Sequence, residues 1–167
     1  VTAENQTKGK GQRGTIWNSE VGKNLIMSVL VRDFLTDINA IFNLNIAFSL
    51  AVIAALKKKN IPDLSIKWPN DILSANKKIG GILIENSIKS DAAILSIVGL
   101  GLNVNQTNFE GLPKASSLSI VIGQNLDKEE LLSEIMANLE KNVAESLQNP
   151  TNLRQQYVDV IYKKDIP

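Results

Sequence analysis

Apolar residues along the chain follow two different periods, separated by polar runs. Residues 1–3 read as the end of a strand, and then the apolar pattern stops. Between residues 4 and 23 the large apolar side chains are Ile16, Trp17 and Val21, while Gly9, Gly11, Gly14 and Gly22 punctuate a basic run. A loop of about this length inside a compact domain usually carries a function or is disordered. Residues 25–31 (LIMSVLV) are almost continuously apolar, as in a strand covered on both faces. From 40 to 59 the apolar residues recur at helical spacing through Leu44, Phe48, Val52 and Leu56, and Lys57, Lys58 and Lys59 sit at the negative end of the helix dipole. Residues 64–68 (LSIKW) alternate like a strand and run into Pro69, which ends regular pairing.

Residues 79–85 and 92–104 predict two further strands joined by a polar turn at 86–91, and 116–123 predict a weaker strand or strand–turn segment. Asp127 with Glu130 three residues later is a helix-capping signature. Behind it, Leu132, Ile135, Met136, Leu139, Val143 and Leu147 form one helical stripe, and 152–162 predict a short last helix. Consecutive strands after the first helix favour an α+β fold, with a mixed β-sheet backed by helices, over a strictly alternating parallel one.

Composition narrows the chemistry. The 167 residues suit one domain. Eighteen Lys and Arg against seventeen Asp and Glu give a net charge of +1, which offers no bulk attraction for nucleic acid or an anionic membrane. There is no cysteine and no histidine, which removes thiol nucleophiles, Ser–His–Asp relays, disulfides and Cys/His zinc sites. A metal would have to sit on oxygen ligands, as magnesium does with phosphates. Catalysis is left to lysine, arginine, carboxylates, amides and backbone groups, a set suited to anionic substrates. The cysteine-free composition, with no membrane span or signal peptide in the sequence, sets the expectation of a cytoplasmic protein. The first residue is Val1, already strand-like, so the chain is expected to be a fragment of a longer protein.

Three motifs stand out, each with an ordinary reading beside a functional one. In Gln6-Thr7-Lys8-Gly9-Lys10-Gly11-Gln12-Arg13-Gly14, followed by Trp17, glycines permit close backbone approach and cations alternate with them. The segment is either a cradle for carboxylate or phosphate or a solvated basic loop. It formally matches a dinucleotide fingerprint, but no helical pattern follows as that motif requires. Lys67-Trp68-Pro69-Asn70-Asp71 places a lysine at the rim of a sheet, or is a plain strand-end turn. Lys77-Lys78-Ile79-Gly80-Gly81-Ile82-Leu83-Ile84-Glu85 opens an apolar strand with two glycines, a mark of close approach or of a β-bulge. Gly99 and Gly101 within GLGLNVN clear one face of another strand, for a flat apolar ligand or for a crossing helix.

Taken together and in this order, these stretches, with Gly22-Lys23-Asn24-Leu25 and Ser28 between them, closely resemble biotin protein ligase over roughly the first two-thirds of the chain. The resemblance implies a fold of the class II aminoacyl-tRNA synthetase/biotin synthetase type. It makes residues 1–167 a biotin/lipoate ligase-type catalytic domain that lacks its N-terminal start and any small C-terminal domain. It implies ATP and Mg2+ as cofactors, biotin as substrate and a biotin carboxyl carrier protein or domain as acceptor. A homodimer is a further expectation; a nucleic acid or membrane partner is not. The implied reaction forms biotinyl-5′-AMP and pyrophosphate, then passes biotin to a carrier lysine.

Residue by residue, the resemblance implies that Lys67, Lys78 and Arg13 are catalytic. Gln6, Gly9, Lys10, Gly11, Gln12, Lys78, Gly81, Gly99 and Gly101 would bind biotin. Arg13, Trp17, Lys67, Asn70 and Asn103 would face ATP, and Asp71 the metal. Residues 8–17 would form a lid that orders over the ligand. Many family members carry arginine where this chain has Lys10 and Gln12; lysine is a point charge without bidentate geometry and Gln12 is uncharged. The alternatives are a lipoate-protein ligase of the same fold, whose usual glycine-rich motif contains a histidine absent here, and a non-catalytic nucleotide- or anion-binding module.

Overall fold

The computed structural model describes residues 1–32, 41–88 and 94–163. Strands β1 (Thr2–Ala3) and β2 (Leu25–Arg32) precede helix α1 (Ile41–Lys58). Strands β3 (Leu64–Lys67), β4 (Asp71–Ser74), β5 (Lys77–Ile88) and β6 (Ile94–Leu102) follow, then helices α2 (Leu118–Ile122), α3 (Lys128–Gln148) and α4 (Pro150–Asp159). The six strands form one sheet in the order β1-β2-β6-β5-β4-β3. The α+β architecture agrees with the sequence expectation. Every strand pairing in the sheet is antiparallel, so the expected mixture reduces to two isolated parallel bridges, Ile66 with Ile161 and Lys78 with Ala115.

Strand alternation separates the two faces of the sheet. Leu25 and Met27 of β2, Ile72 of β4, Ile82 of β5 and Val98, Leu100 and Leu102 of β6 point toward the helices and are buried. Across from them α1 is buried from Leu44 to Leu56 except at Ala54, held between the sheet and helices α3 and α4. This accounts for its apolarity, which is high enough by length and composition to cross a membrane. At its C-terminal end Lys58 pairs with Glu134 and Lys59 with Glu130 at 2.5 Å, so the terminal cations anchor α3 as well as opposing the dipole. On the other face, among the described residues, the Trp17 ring lies against Gly81 and Gly101.

Three local expectations change. Residues 118–122 are helical, because Ser117 accepts a capping bond from the Ile120 N–H and Gly123 closes the turn at φ 75. Strand β4 has no counterpart in the sequence reading. It is four residues long, and its two-residue turn into β5 puts Ala75 at φ 52, a position that glycine or asparagine usually takes, which leaves Asn76 as the one turn-forming residue there. Asn149 accepts from the Asn152 N–H and Pro150 follows at the first turn, so α4 starts two residues earlier than the pattern suggests. The Asp127 cap is present, accepting from the Glu129 and Glu130 N–H groups. Residue 40 of the expected helix, residues 92–93 of the expected strand and 89–91 of the expected turn lie outside the described residues, while 86–88 belong to β5.

Candidate active site

Antiparallel register brings distant motifs into one transverse row. Lys67 on β3 stands opposite Asp71 on β4, Asp71 opposite Gly81 on β5, Gly81 opposite Gly101 on β6, and Gly101 opposite Ile26 on β2. Leu83, Gly99 and Ser28 form the next row on the same face. Directly paired residues share a face, so this side of the sheet has a trough of bare backbone at Gly81, Gly99 and Gly101. Trp17 lies in it. A Cβ at Gly101 would come within 2.6 Å of the Trp17 ring, and one at Gly81 within 3.5 Å.

The glycine pair that opens β5 serves two purposes. Gly81 faces the trough, whereas a Cβ at Gly80 would meet Leu102 Cδ1 at 2.9 Å on the core side. Register also slips by one between Ile72 and Leu73, leaving Ile79 as the extra residue of a bulge. A bulge re-aims a side chain. Here it brings Lys78 onto the open face, where its Nζ lies 2.7 Å from Asp71 Oδ1 and 5.5 Å from the Trp17 ring centroid. Both readings of this motif, bulge and close approach, therefore apply.

Trp68, Pro69 and Asn70 turn the chain between β3 and β4, and that turn is fixed from behind. The Pro69 carbonyl accepts from Asn45 Nδ2 at 2.6 Å and, at a long 3.5 Å, from the Tyr157 hydroxyl. Burial pushes the Tyr157 pKa up to about 12, so the hydroxyl keeps its proton at any ordinary pH. Asn70 donates to the Ile82 carbonyl at 2.7 Å and accepts the Ile82 N–H through its own carbonyl. Its side-chain donor thus holds the turn against β5.

Over the trough, residues 9–17 fold into a small hairpin. The Trp17 N–H donates to the Gly9 carbonyl and the Gly11 N–H to the Thr15 carbonyl, with a single helical turn at Gln12–Gly14 and Arg13 at φ 54. The fold of this loop was not evident from its composition. Hairpin, trough and β3–β4 turn enclose a cleft of about 540 Å³. It is lined by Gln6, Lys10, Gly11, Gln12, Arg13, Trp17, Lys67, Asn70, Asp71, Lys78, Gly81, Gly99 and Gly101, all singled out from sequence. Five cationic side chains line it (Lys8, Lys10, Arg13, Lys67 and Lys78) against two carboxylates, Asp71 and Glu85. The cleft is an anion-attracting site with one internal ion pair.

Two of the sequence candidates lie elsewhere. Gly9 is outside the lining; its missing Cβ makes room for the Trp17 carbonyl, 2.2 Å from where that atom would be. Asn103 is buried and does not line the cleft; it donates to the Ser116 carbonyl at 3.0 Å, and its Oδ1 has no hydrogen-bond partner. The sequence reading did not assign Ile26, Leu83 or Glu85 to the site, nor give Ser28 a role. Their signal was the strand period, which puts each on the glycine face once the register is known.

The sequence model of the biotin/lipoate A/B protein ligase family matches residues 1–103. The chain belongs to this family. It is 33% identical to the bifunctional ligase/repressor BirA of Bacillus subtilis over 84% of this chain and 44% of that protein. It is also 33% identical to the biotin–[acetyl-CoA-carboxylase] ligase of Mycobacterium tuberculosis, over 86% of this chain and 53% of that one. The chain thus spans about half the length of these curated relatives. Among solved structures, a biotin protein ligase from Aquifex aeolicus in complex with biotin and ATP superposes with a TM-score of 0.83, at 27% identity over 96% of this chain and 67% of that one. A lipoate-protein ligase A bound with ATP shares the fold at a TM-score of 0.55 and 14% identity, covering 73% of this chain and 53% of its own.

Proposed function

We propose that this chain activates biotin with ATP and transfers it to a lysine of a carboxylase carrier domain. The observation that carries the reading is the cleft itself. Two amines, Lys67 and Lys78, flank one carboxylate at the end of a glycine-cleared trough, under a cationic hairpin. Beside the Trp17 indole, which fills the trough over Gly81 and Gly101, the bare backbone at Gly99 suits a flat bicyclic ring, and the cations suit a carboxylate that must approach a triphosphate of the same charge.

In the first step a biotin carboxylate oxygen attacks the α-phosphorus of ATP. The bond to the β-phosphate oxygen breaks and pyrophosphate leaves, giving the acyl-adenylate. Lys78 exchanges its Asp71 partner for the biotin carboxylate and then for the acyl-phosphate linkage. Lys67 and Arg13 neutralise charge growing on the phosphate. Such preorganised donors are typically worth about 10²–10³ in turnover each. Trp17, which lines the cleft, would stand as the wall between base and biotin. In the second step the neutral carrier amine attacks the acyl carbon, AMP departs with the bonding electrons, and the amine loses its proton.

Among the described residues no trio of acidic side chains gathers to hold a metal. Asp71 therefore fits Mg2+ only as one carboxylate on an ion carried chiefly by phosphate oxygens. Such an ion would supply further charge neutralisation. ATP as co-substrate and the lack of cysteine support a cytoplasmic setting. The absence of histidine and the low identity to lipoate ligase A favour biotin over lipoate.

Competition between the two acids tests the assignment. With biotin and lipoate at equal concentration, the purified protein is expected to form biotinyl-AMP in at least about 100-fold excess over lipoyl-AMP, since a site built to hydrogen-bond a polar ring rejects an analogue lacking it. Equal or reversed yields would reassign the substrate.

A further inference from the structure

Lys67 and Lys78 are placed by different means. The Lys78 amine is held directly, 2.7 Å from Asp71 Oδ1. Among the described residues no hydrogen bond or ion pair holds the Lys67 amine, so its position follows the backbone that carries it. Lys67 is the last residue of β3, which lies at the edge of the sheet. Pairing with Asp71 supports it on one side. On the other side β3 is tied at Ile66, whose N–H donates to the Val160 carbonyl and whose carbonyl accepts the Tyr162 N–H. Beyond Lys67 comes Trp68, 65% exposed and so a weak support, and the next fixed point is the Pro69 carbonyl.

The Asn45 amide makes that point. Its Nδ2 donates to the Pro69 carbonyl at 2.6 Å, and its Oδ1 accepts from Ser49 Oγ at 3.3 Å. The Tyr157 hydroxyl, at 3.5 Å from the same carbonyl, is a much weaker second donor. Asn45 is 7% exposed and stands in α1 among Leu44, Ile46, Ala47 and Phe48, all at 0–1%. Asparagine is a poor residue for a helix interior, and a buried amide is costly unless its groups are paired. Helix α1 accepts both costs at a position whose donor serves the turn next to Lys67. The far half of that turn has its own anchor, since Asn70 bonds both the N–H and the carbonyl of Ile82. The Lys67 half depends on Asn45.

We propose that Asn45 is a positioning residue that sets Lys67 against the reacting phosphate. It does not line the cleft. It acts through the Pro69 carbonyl on the backbone that carries the lysine. Misplacing a charge by about 1 Å can cost as much as 10²-fold in rate, whereas the resting affinity for biotin is assigned to Lys78 and the glycine-cleared floor. The inference rests on the biotin–ATP reading above.

Single-turnover pyrophosphate release at a series of biotin concentrations, with ATP saturating, tests it in the wild type, Asn45→Leu, Lys67→Ala and the double variant. Asn45→Leu is close in size and lacks the donor. It should lower the rate at saturation by about tenfold or more, while the half-saturating biotin concentration moves by less than about twofold. In the Lys67→Ala background the same change should cost less than about twofold, because the group it positions is gone. A merely structural role would cost the same factor in both backgrounds. If Asn45→Leu fails to fold, Asn45→Ala decides, since alanine suits the helix and overfills nothing. An undiminished rate in a folded variant, a change in half-saturation alone, or equal losses in both backgrounds would overturn the proposal. Those results leave the functional reading standing; a wild type that releases no pyrophosphate with biotin, or Lys67→Ala at the full rate, would overturn that reading as well.

Discussion

Lys78→Ala is expected to lower biotinyl-adenylate formation by about 10³-fold or more, at the upper end of what one preorganised donor contributes, because this amine meets both reactants in turn. The fold should survive. Lys78 reaches the open face through a bulge, its side chain is 36% exposed, and its contacts are Asp71 and the face of Trp17. A part-exposed ion pair contributes at most about 1 kcal/mol, so the melting temperature should move by only a few degrees. Pyrophosphate release and a thermal melt measured together separate the two effects. Near-normal pyrophosphate release by a folded variant would remove Lys78 from the chemistry.

Gly101→Val should be the most damaging change on the floor. A Cβ there lies 2.6–2.8 Å from three atoms of the Trp17 indole, so either the ring or the strand must shift. The added branches would then occupy the trough. Biotin affinity is expected to fall by about 100-fold, comparable to losing most of the burial of a small ring. Stability should fall less than in Gly80→Val, because the Cβ at Gly80 meets Leu102 and the Gly101 carbonyl within the packed layer. Calorimetric titration of biotin and a denaturant melt of both variants distinguish the two faces. Unchanged biotin binding in Gly101→Val would mean that the trough is not the biotin site.

Which parts of this site could be read in the sequence follows from what sequence encodes. Chemistry-bearing residues at strand ends and loops kept their order, so Lys67, Asp71, Lys78 and the glycines of the two strands could be singled out before any geometry was known. Register could not be read. That Asp71 stands between Lys67 and Gly81 depends on β4, a four-residue strand whose turn is signalled by Asn76 alone. The bulge at Ile79 was equally hidden, because an isoleucine in an apolar strand looks the same whether or not it slips the pairing. The hairpin at 9–17 owes its shape to backbone bonds that many sequences could make. Residues 116–123 misled the strand reading because Ile120, Val121 and Ile122 are β-branched, and the Ser117 cap with the Gly123 stop outweighs that preference over one turn and a half.

The central claim is that one cationic cleft joins a carboxylate to the α-phosphate of ATP. Mass spectrometry of the purified protein incubated with biotin, ATP and Mg2+ tests it most directly. The prediction is protein-bound biotinyl-5′-AMP at up to one equivalent, with matching pyrophosphate, and none when biotin is left out. Pyrophosphate or ADP produced without biotin, or biotin and ATP recovered unchanged by a protein that binds both, would contradict it.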